Sequence, residues 1–217
     1  MSCRAALFDM DRTLVRVETA SLYVRFQREI GEATLKDSVE VAWWVLQYTF
    51  GVLDAPKVAG RVIAQLAGKS EREMEERCED FVRRYVAHHV PPAAREAIAR
   101  HERRGDLLAI VTGASPYVAR PVARLTGIPH VVSSELEVED GRFTGKPSDP
   151  LCYAEGKIVR TTRLAEEHGF SLADATFYSD SFTDLPLLAA VGEPIVVNPD
   201  PRLAREAKRR GWRVERW

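Results

Sequence analysis

Short apolar segments alternate with helical patterns at the start of the chain and throughout its second half, and this alternation limits the possible folds most strongly. Such alternation is typical of a parallel β-sheet with helices on both faces. We therefore predict a doubly wound, Rossmann-like α/β core. The predicted strands cover residues 4–9, 107–112, 130–135, 175–180, 194–198 and a short segment at the end. The predicted helices between them cover residues 92–104, 115–126, 153–169, 184–190 and 201–210.

A long segment without a strand pattern separates the first predicted strand from the second. Its apolar residues recur with helical spacing from about residue 20 to residue 89. We predict an all-helical cap domain of about four helices at residues 17–89. The cap is inserted into a core domain that consists of residues 1–16 and 90–217.

Two local signals refine this division. Ser70 followed by Glu73 predicts the N-terminus of a cap helix that runs to about residue 89. In the core, Asp140-Gly141 lies within an alternating apolar and polar segment, which predicts a β-hairpin.

Charge and composition narrow the range of partners. The chain of 217 residues has a formal net charge of -1, so we expect no attraction to nucleic acid or to an anionic membrane. Its three cysteines form no CxxC pair, which favours reduced thiols and a cytoplasmic protein. The segment Val39–Leu53 is apolar and aromatic but too short to span a membrane, and we predict a mostly buried helix there.

Polar side chains that can perform chemistry follow several of the predicted strands. In doubly wound sheets, ligands bind at the carboxyl ends of the strands, so these residues should share one rim. The residues expected there, with a lysine that opens the helix after the hairpin, are Asp9, Asp11, Thr112, Gly113, Lys157, Asp180 and Asp184.

Several carboxylates at one rim require compensating cations. Two carboxylates about 4 Å apart repel by about 4 kcal/mol at an effective dielectric constant near 20. Because no histidine or cysteine belongs to the cluster, its oxygen ligands suit Mg²⁺ better than zinc. Asp9 and Asp11 can face one cavity if Met10 points away, and one carboxylate could then accept a phosphoryl group while the other moves protons.

Four short motifs carry a resemblance to a known family. "DMDRTLV", "VTGAS", "GK" at 156–157 and "SDSFTDLPLL" resemble, in order, the four motifs of the haloacid dehalogenase-like (HAD) phosphatases. The likeness is greatest to the phosphoserine phosphatase-like branch (subfamily IB), which has a helical cap after the first motif. It extends over the whole chain and implies an α/β core, a phosphatase activity and a Mg²⁺ cofactor.

The resemblance implies distinct roles for the carboxylates. Asp9 corresponds to the nucleophile and a metal ligand. Asp11 corresponds to the general acid and base, with its main-chain carbonyl on the metal. Asp180 corresponds to the second carboxylate ligand of Mg²⁺. Asp184 corresponds to a residue that orients Lys157 or a metal-bound water, although it could also cap the helix that follows.

The same resemblance implies a phosphate site. Thr112 and Lys157 would bind the phosphate, assisted by the backbone N–H groups of Met10 and Gly113.

Two residues correspond to positions that contact the substrate in phosphoserine phosphatases. Glu18 would face the substrate's amine, and Arg61 would face its carboxylate. The alternative for Glu18 is a favourable charge at the N-terminus of a cap helix, and a solvated arginine is the favoured interpretation of Arg61. The chain also departs from the family at Arg12, where small residues are frequent, and in "SD", where "GD" is commoner.

We therefore predict a Mg²⁺-dependent phosphomonoesterase that hydrolyses a small phosphorylated metabolite, phosphoserine-like or another amino-alcohol phosphate, through an aspartyl phosphate. One alternative is a phosphotransferase that uses an alcohol acceptor. Another is a phosphate- or phospholipid-binding module with little turnover. The sequence does not decide the substrate or the oligomeric state.

Overall fold

A parallel sheet forms the centre of the protein. The computed structural model describes residues 3–34, 55–148 and 150–217. The described strands are β1 Cys3–Phe8, β2 Leu107–Val111, β3 His130–Val132, β4 Leu136–Glu139, β5 Arg142–Pro147, β6 Phe170–Ser179, β7 Glu193–Val197 and β8 Arg213–Glu215. Six of them form the sheet in the order β3-β2-β1-β6-β7-β8, and every neighbouring pair is parallel. The other two, β4 and β5, form an antiparallel hairpin.

The described α-helices connect and cover these strands. They are α1 Thr19–Glu29, α2 Ala55–Ala64, α3 Glu71–Phe81, α4 Pro92–Glu102, α5 Pro116–Thr126, α6 Glu155–His168, α7 Leu185–Ala190 and α8 Pro201–Arg210. Two separate clusters of buried side chains, with Phe8 in one and Leu7 in the other, pack on the two faces of the sheet. Burial on both faces explains why the central strands read as continuous apolar runs. The predicted doubly wound α/β fold is confirmed.

Two strand boundaries differ from the prediction by three residues or more. β6 begins at Phe170, five residues before the predicted start at 175, because residues 171–174 are mostly exposed and lack the apolar signal of a buried strand. β3 ends at Val132 instead of residue 135, since Ser134 leaves the sheet and its hydroxyl accepts a hydrogen bond from the Cys152 N–H at 3.0 Å.

The segment predicted as the cap contains the described helices α1, α2 and α3. The predicted helix start at Ser70 is confirmed, because the Ser70 hydroxyl accepts a hydrogen bond from the Glu73 N–H at 3.4 Å. The helix α3 continues as a π turn and a 3₁₀ turn to His89. The helix predicted for Val39–Leu53 lies outside the described residues. Among the described helices, none is long and apolar enough to cross a membrane.

The hairpin attaches the core to the cap. It turns at Asp140-Gly141, as predicted, and both turn residues have positive φ. Its backbone then bonds to the cap: Gly68 N–H donates to the Phe143 carbonyl at 2.8 Å, and Glu71 N–H donates to the Gly141 carbonyl at 2.9 Å. The hairpin therefore belongs to the core by sequence but packs with the cap.

Candidate active site

The first two aspartates follow β1 at the carboxyl end of the sheet. Asp9 is buried, and its N–H donates to the Tyr178 carbonyl of β6 at 2.9 Å, which extends the parallel pairing by one residue. Met10 is fully buried in the hydrophobic core. The residue between the two carboxylates thus points into the core, as the alternation of side chains at a strand end requires.

A buried lysine joins two of the predicted carboxylates. Lys157 Nζ lies 2.7 Å from Asp9 Oδ1 and 2.7 Å from Asp184 Oδ2. The same Asp184 oxygen accepts a hydrogen bond from the Ser179 hydroxyl at 2.7 Å. The Asp184 side chain does not cap α7. Of the two sequence-based interpretations of Asp184, the structure shows the contact with Lys157.

A tight loop before α6 positions Lys157 between Asp9 and Asp184. A Cβ atom at Gly156 would lie 1.9 Å from the backbone oxygen of Leu151, so only glycine fits. Ala154, at the start of α6, has a positive φ of 48°. The close approach of two backbone segments therefore sets where α6 begins and where its first lysine points.

Asp11 is held apart from the lysine. Its Oδ1 accepts a hydrogen bond from the Thr19 N–H at 2.9 Å, and its Oδ2 accepts one from the Thr19 hydroxyl at 3.1 Å. Thr19 is buried at the N-terminus of α1, where the helix dipole favours a negative group. The sequence analysis did not identify Thr19. A hydroxyl residue at the first position of α1 could have indicated a contact with a nearby carboxylate.

Thr112 and Gly113 lie where β2 ends. Thr112 is buried, its N–H donates to the Val132 carbonyl at 2.9 Å, and its hydroxyl accepts from the Ala114 N–H at 3.2 Å. A Cβ at Gly113 would lie 3.4 Å from the Cys152 carbonyl, an ordinary contact. The turn after β2 thus places the Thr112 hydroxyl and the Gly113 N–H at the same sheet edge as Asp9.

Asp180 supplies another buried carboxylate after β6. Its Oδ1 accepts a hydrogen bond from the Thr13 hydroxyl at 3.4 Å, and its carbonyl accepts from the Asp200 N–H at 2.9 Å. After burial, the negative charge of Asp9 is the next largest cause that raises the pKa of Asp180. The described residues contain no group of three or more His, Cys, Asp or Glu side chains that could hold a metal ion. Two carboxylates with a main-chain carbonyl and waters suit Mg²⁺, which usually retains several waters.

Burial governs the electrostatics of these groups. Burial raises the pKa of Asp9 to about 7 against the lowering effect of Lys157. Burial, with the charges of Asp9 and Asp184, raises the pKa of Asp180 well above its usual range. Burial, and next the charge of Glu18, raises the pKa of Asp11 to about 8. When all of these carboxyl groups are ionised, their negative charge exceeds the charge of the buried lysine, so an additional cation would favour the ionised forms.

The two predicted substrate-facing residues differ in their placement. Glu18 is half-buried beside the site, and its carboxylate lies 3.6 Å from Arg12 Nε. The pKa of Glu18 is raised above its usual range by burial, and the positive charge of Arg12 offsets only part of this effect. Arg61 is exposed in the last turn of α2, which packs against the hairpin strand β5. The structure brings Glu18 to the carboxylates and leaves Arg61 on the surface.

A second buried network of hydrogen bonds, which the sequence analysis missed, contacts β6 through the Tyr178 hydroxyl. His101 Nδ1 lies 2.7 Å from Asp106 Oδ2, and its Nε2 lies 2.8 Å from the Tyr178 hydroxyl. Arg100 also donates to that hydroxyl at 2.9 Å. Since the Tyr178 carbonyl accepts from Asp9, this network anchors the strand on which the first carboxylate depends.

The fold and the site together define an α/β enzyme with acidic residues and one lysine at the carboxyl edge of its sheet and a helical cap inserted after the first strand. The family model of haloacid dehalogenase-like hydrolases matches residues 6–189. The chain belongs to this family and is a hydrolase.

Several relatives are similar over nearly the full chain. A histidinol-phosphatase of Neisseria meningitidis is 33% identical, and the match covers 96% of each chain. A phosphoserine phosphatase of Mycobacterium tuberculosis is 31% identical over 97% of this chain and 70% of its own length. The crystal structure of a protein of unknown function from Bordetella pertussis has a TM-score of 0.88 at 33% identity and covers 99% of this chain and 98% of its own. A substrate-bound phosphoserine phosphatase shares the fold, with a TM-score of 0.71 at 22% identity, and covers 95% of this chain and 91% of its own.

Proposed function

We propose that the protein is a Mg²⁺-dependent phosphomonoesterase that acts on a small phosphorylated metabolite through an aspartyl phosphate. The observation that carries this proposal is the position of Lys157, which bonds to Asp9 and Asp184 at 2.7 Å while Asp11 is held separately by Thr19. The two carboxylates of the first motif thus have different environments, as a nucleophile and a proton donor require. The names of the relatives, histidinol-phosphatase and phosphoserine phosphatase, support an amino-alcohol phosphate as the substrate.

The proposed reaction has two steps. The Asp9 carboxylate attacks phosphorus, the bond from phosphorus to the ester oxygen breaks, and Asp11 gives its proton to the departing alcohol. Asp11 then takes a proton from water as the water oxygen attacks the aspartyl phosphate. The bond between phosphorus and Asp9 breaks, and phosphate and the original carboxylate are released.

Other residues hold the transferring group in place. Lys157, the Thr112 hydroxyl and the N–H groups of Met10 and Gly113 would bind the phosphoryl oxygens. Mg²⁺, held by Asp9, Asp180 and the Asp11 carbonyl, would neutralise their charge. Asp184 keeps Lys157 charged and oriented: burial alone would lower the pKa of Lys157, but Asp184 and Asp9 raise it well above its ordinary value. The cap would exclude water during the first step.

The test is phosphate release from p-nitrophenyl phosphate and a panel of metabolite phosphates, with Mg²⁺ or EDTA, for the wild type and Asp9→Asn. Asp140→Asn, in the exposed hairpin turn, is a matched control that removes the same charge. We expect metal-dependent release that disappears only in Asp9→Asn. Release that survives this substitution would contradict the assigned nucleophile.

The same experiment separates the alternatives. Adding an acceptor alcohol and analysing the products distinguishes hydrolysis from phosphoryl transfer. Binding to liposomes in a flotation assay, without turnover, would favour the phospholipid-binding module. The apolar and aromatic segment Val39–Leu53, which could contact such a surface, lies outside the described residues. Action in the cytoplasm remains a proposal from the cysteine content of the chain.

A further inference from the structure

Asp200 lies between helix α8 and the segment that carries Asp180. It is the residue directly before α8, and its Oδ1 accepts hydrogen bonds from the Arg202 N–H at 2.8 Å and the Leu203 N–H at 2.9 Å. These are the bonds of an ordinary helix N-cap. Serine and asparagine cap helices about as well with a single oxygen, so the cap alone does not require aspartate.

The second carboxylate oxygen of Asp200 bonds to the segment after β6 instead. Its Oδ2 accepts from the Phe182 N–H at 2.6 Å, and the Asp200 N–H donates to the Asp180 carbonyl at 2.9 Å. These two bonds hold the peptide groups on either side of Ser181. The guanidinium of Arg202 also lies over the Phe182 ring, 4.1 Å from its centroid. The first turn of α8 is therefore joined to residues 180–182 by two hydrogen bonds and a cation–π contact.

The segment held by Asp200 carries a carboxylate that is proposed to bind Mg²⁺. Asp180 is buried, and its Oδ1 accepts a long hydrogen bond from the Thr13 hydroxyl at 3.4 Å, which restrains the side chain weakly. Mg²⁺ demands near-ideal octahedral geometry, so a weakly restrained ligand must be held through its backbone. Groups that hold metal ligands in place are nearly as important for metal affinity as the ligands.

We propose that Asp200 is a positioning residue of the Mg²⁺ site, whose carboxylate fixes the backbone of residues 180–182 and thereby sets the affinity for the metal. This inference rests on the proposed function and deepens it. Because coupling between two equilibria is reciprocal, bound Mg²⁺ should in turn stabilise the first turn of α8 through the same contacts. Helix α8 thus takes part in metal binding, although its first turn supplies none of the proposed ligands.

The test measures Mg²⁺ binding by calorimetry, without substrate, in the wild type and in Asp200→Ser. Serine retains the N-cap, but its shorter side chain with one oxygen cannot also reach the Phe182 N–H. We expect Asp200→Ser to bind Mg²⁺ about tenfold more weakly. The loss should persist in about 1 M KCl, where the Debye length is about 3 Å, because it comes from lost positioning and not mainly from the missing charge.

A matched control and a second measurement separate positioning from folding. Arg205 is exposed in the middle of α8, and Arg205→Gly weakens this helix without removing a contact to residues 180–182. Its Mg²⁺ affinity should equal that of the wild type. Mg²⁺ should also slow amide hydrogen exchange at Arg202 and Leu203 in the wild type, and much less in Asp200→Ser. If Asp200→Ser does not fold, the exchange measured in the wild type decides.

The outcomes distinguish this inference from the proposed function. Equal Mg²⁺ affinity in the wild type and Asp200→Ser would overturn the role of Asp200 and leave the proposed phosphatase intact. An equal loss of affinity in Arg205→Gly would do the same. Mg²⁺ binding that depends on Asp200, in a protein that releases phosphate from no ester, would refute the proposed activity and retain this inference. A wild type that binds no Mg²⁺ would overturn both the cofactor and the role of Asp200.

Discussion

Removal of Lys157 should destabilise the protein strongly and in a pH-dependent way. In Lys157→Met, Asp9 and Asp184 remain buried and lose the ammonium group that lies 2.7 Å from each of them. Removing one partner of a buried ion pair typically costs about 3–5 kcal/mol. At about 2–4 °C per kcal/mol for a domain of this size, the melting temperature should fall by about 6–20 °C at pH 8.

The pH dependence has a definite sign. Burial raises the pKa of Asp9 and Lys157 lowers it, so without the lysine the pKa of Asp9 in the folded state lies further above its value in the unfolded chain. The folded state then binds more protons between these values, so its stability falls as pH rises. The deficit of Lys157→Met should therefore be smaller at pH 5 than at pH 8.

The assay is urea unfolding at both pH values in EDTA, followed by circular dichroism. Lys146→Met is the control, since Lys146 is 75% exposed and lies 3.8 Å from Glu137; such a pair contributes less than about 1 kcal/mol. A loss below about 1 kcal/mol in Lys157→Met at pH 8, or a deficit that grows toward pH 5, would refute this reasoning.

Three further predictions concern the supports of the site. Gly156→Ala should lower the free energy of unfolding, measured in urea, by more than about 2 kcal/mol, because the added Cβ would lie 1.9 Å from a backbone oxygen. The control is Gly60→Ala, in a helix with open space around it, which should leave this free energy unchanged or raise it by about 0.5–1 kcal/mol. Thr19→Val removes the hydroxyl bond to Asp11 and should lower kcat about tenfold with little change in KM, whereas Thr19→Ser should retain activity; equal kcat in both would contradict the contact. Burial lowers the pKa of His101 in the folded protein, so as pH falls the unfolded chain binds a proton at this histidine before the folded chain does. The free energy of unfolding should therefore fall as pH drops below about 6.5. His101→Asn should reduce this pH dependence, as measured by urea unfolding between pH 5 and 7.

The sequence predicted the parallel sheet because buried strands carry a local signal. Phe8, Ile110 and Tyr178 occupy the same level of three adjacent strands, and each belongs to a short apolar run that can be recognised without its neighbours. The boundaries of β3 and β6 were less accurate. Their outer residues are polar, and their pairing depends on distant segments of the chain.

The partners of each polar side chain were not readable in the same way. Asp9 and Lys157 are separated by 148 positions, and the sequence supplied their types but not their contact. The Tyr178 hydroxyl forms a hydrogen bond with His101, which is 77 positions away in the sequence. No local pattern marks such pairs, because hydrogen bonds form wherever packing places a donor beside an acceptor.

The types of polar group at the ends of the strands could be read from the sequence, since short apolar runs mark where the strands lie and the polar residues come directly after them. The way in which those groups pair could be seen only in the folded protein: Lys157 pairs with Asp9 and Asp184, Asp11 with Thr19, and Arg12 with Glu18. The physical reason is that burial makes each charge depend on its nearest neighbours, and those neighbours are set by packing across the whole chain.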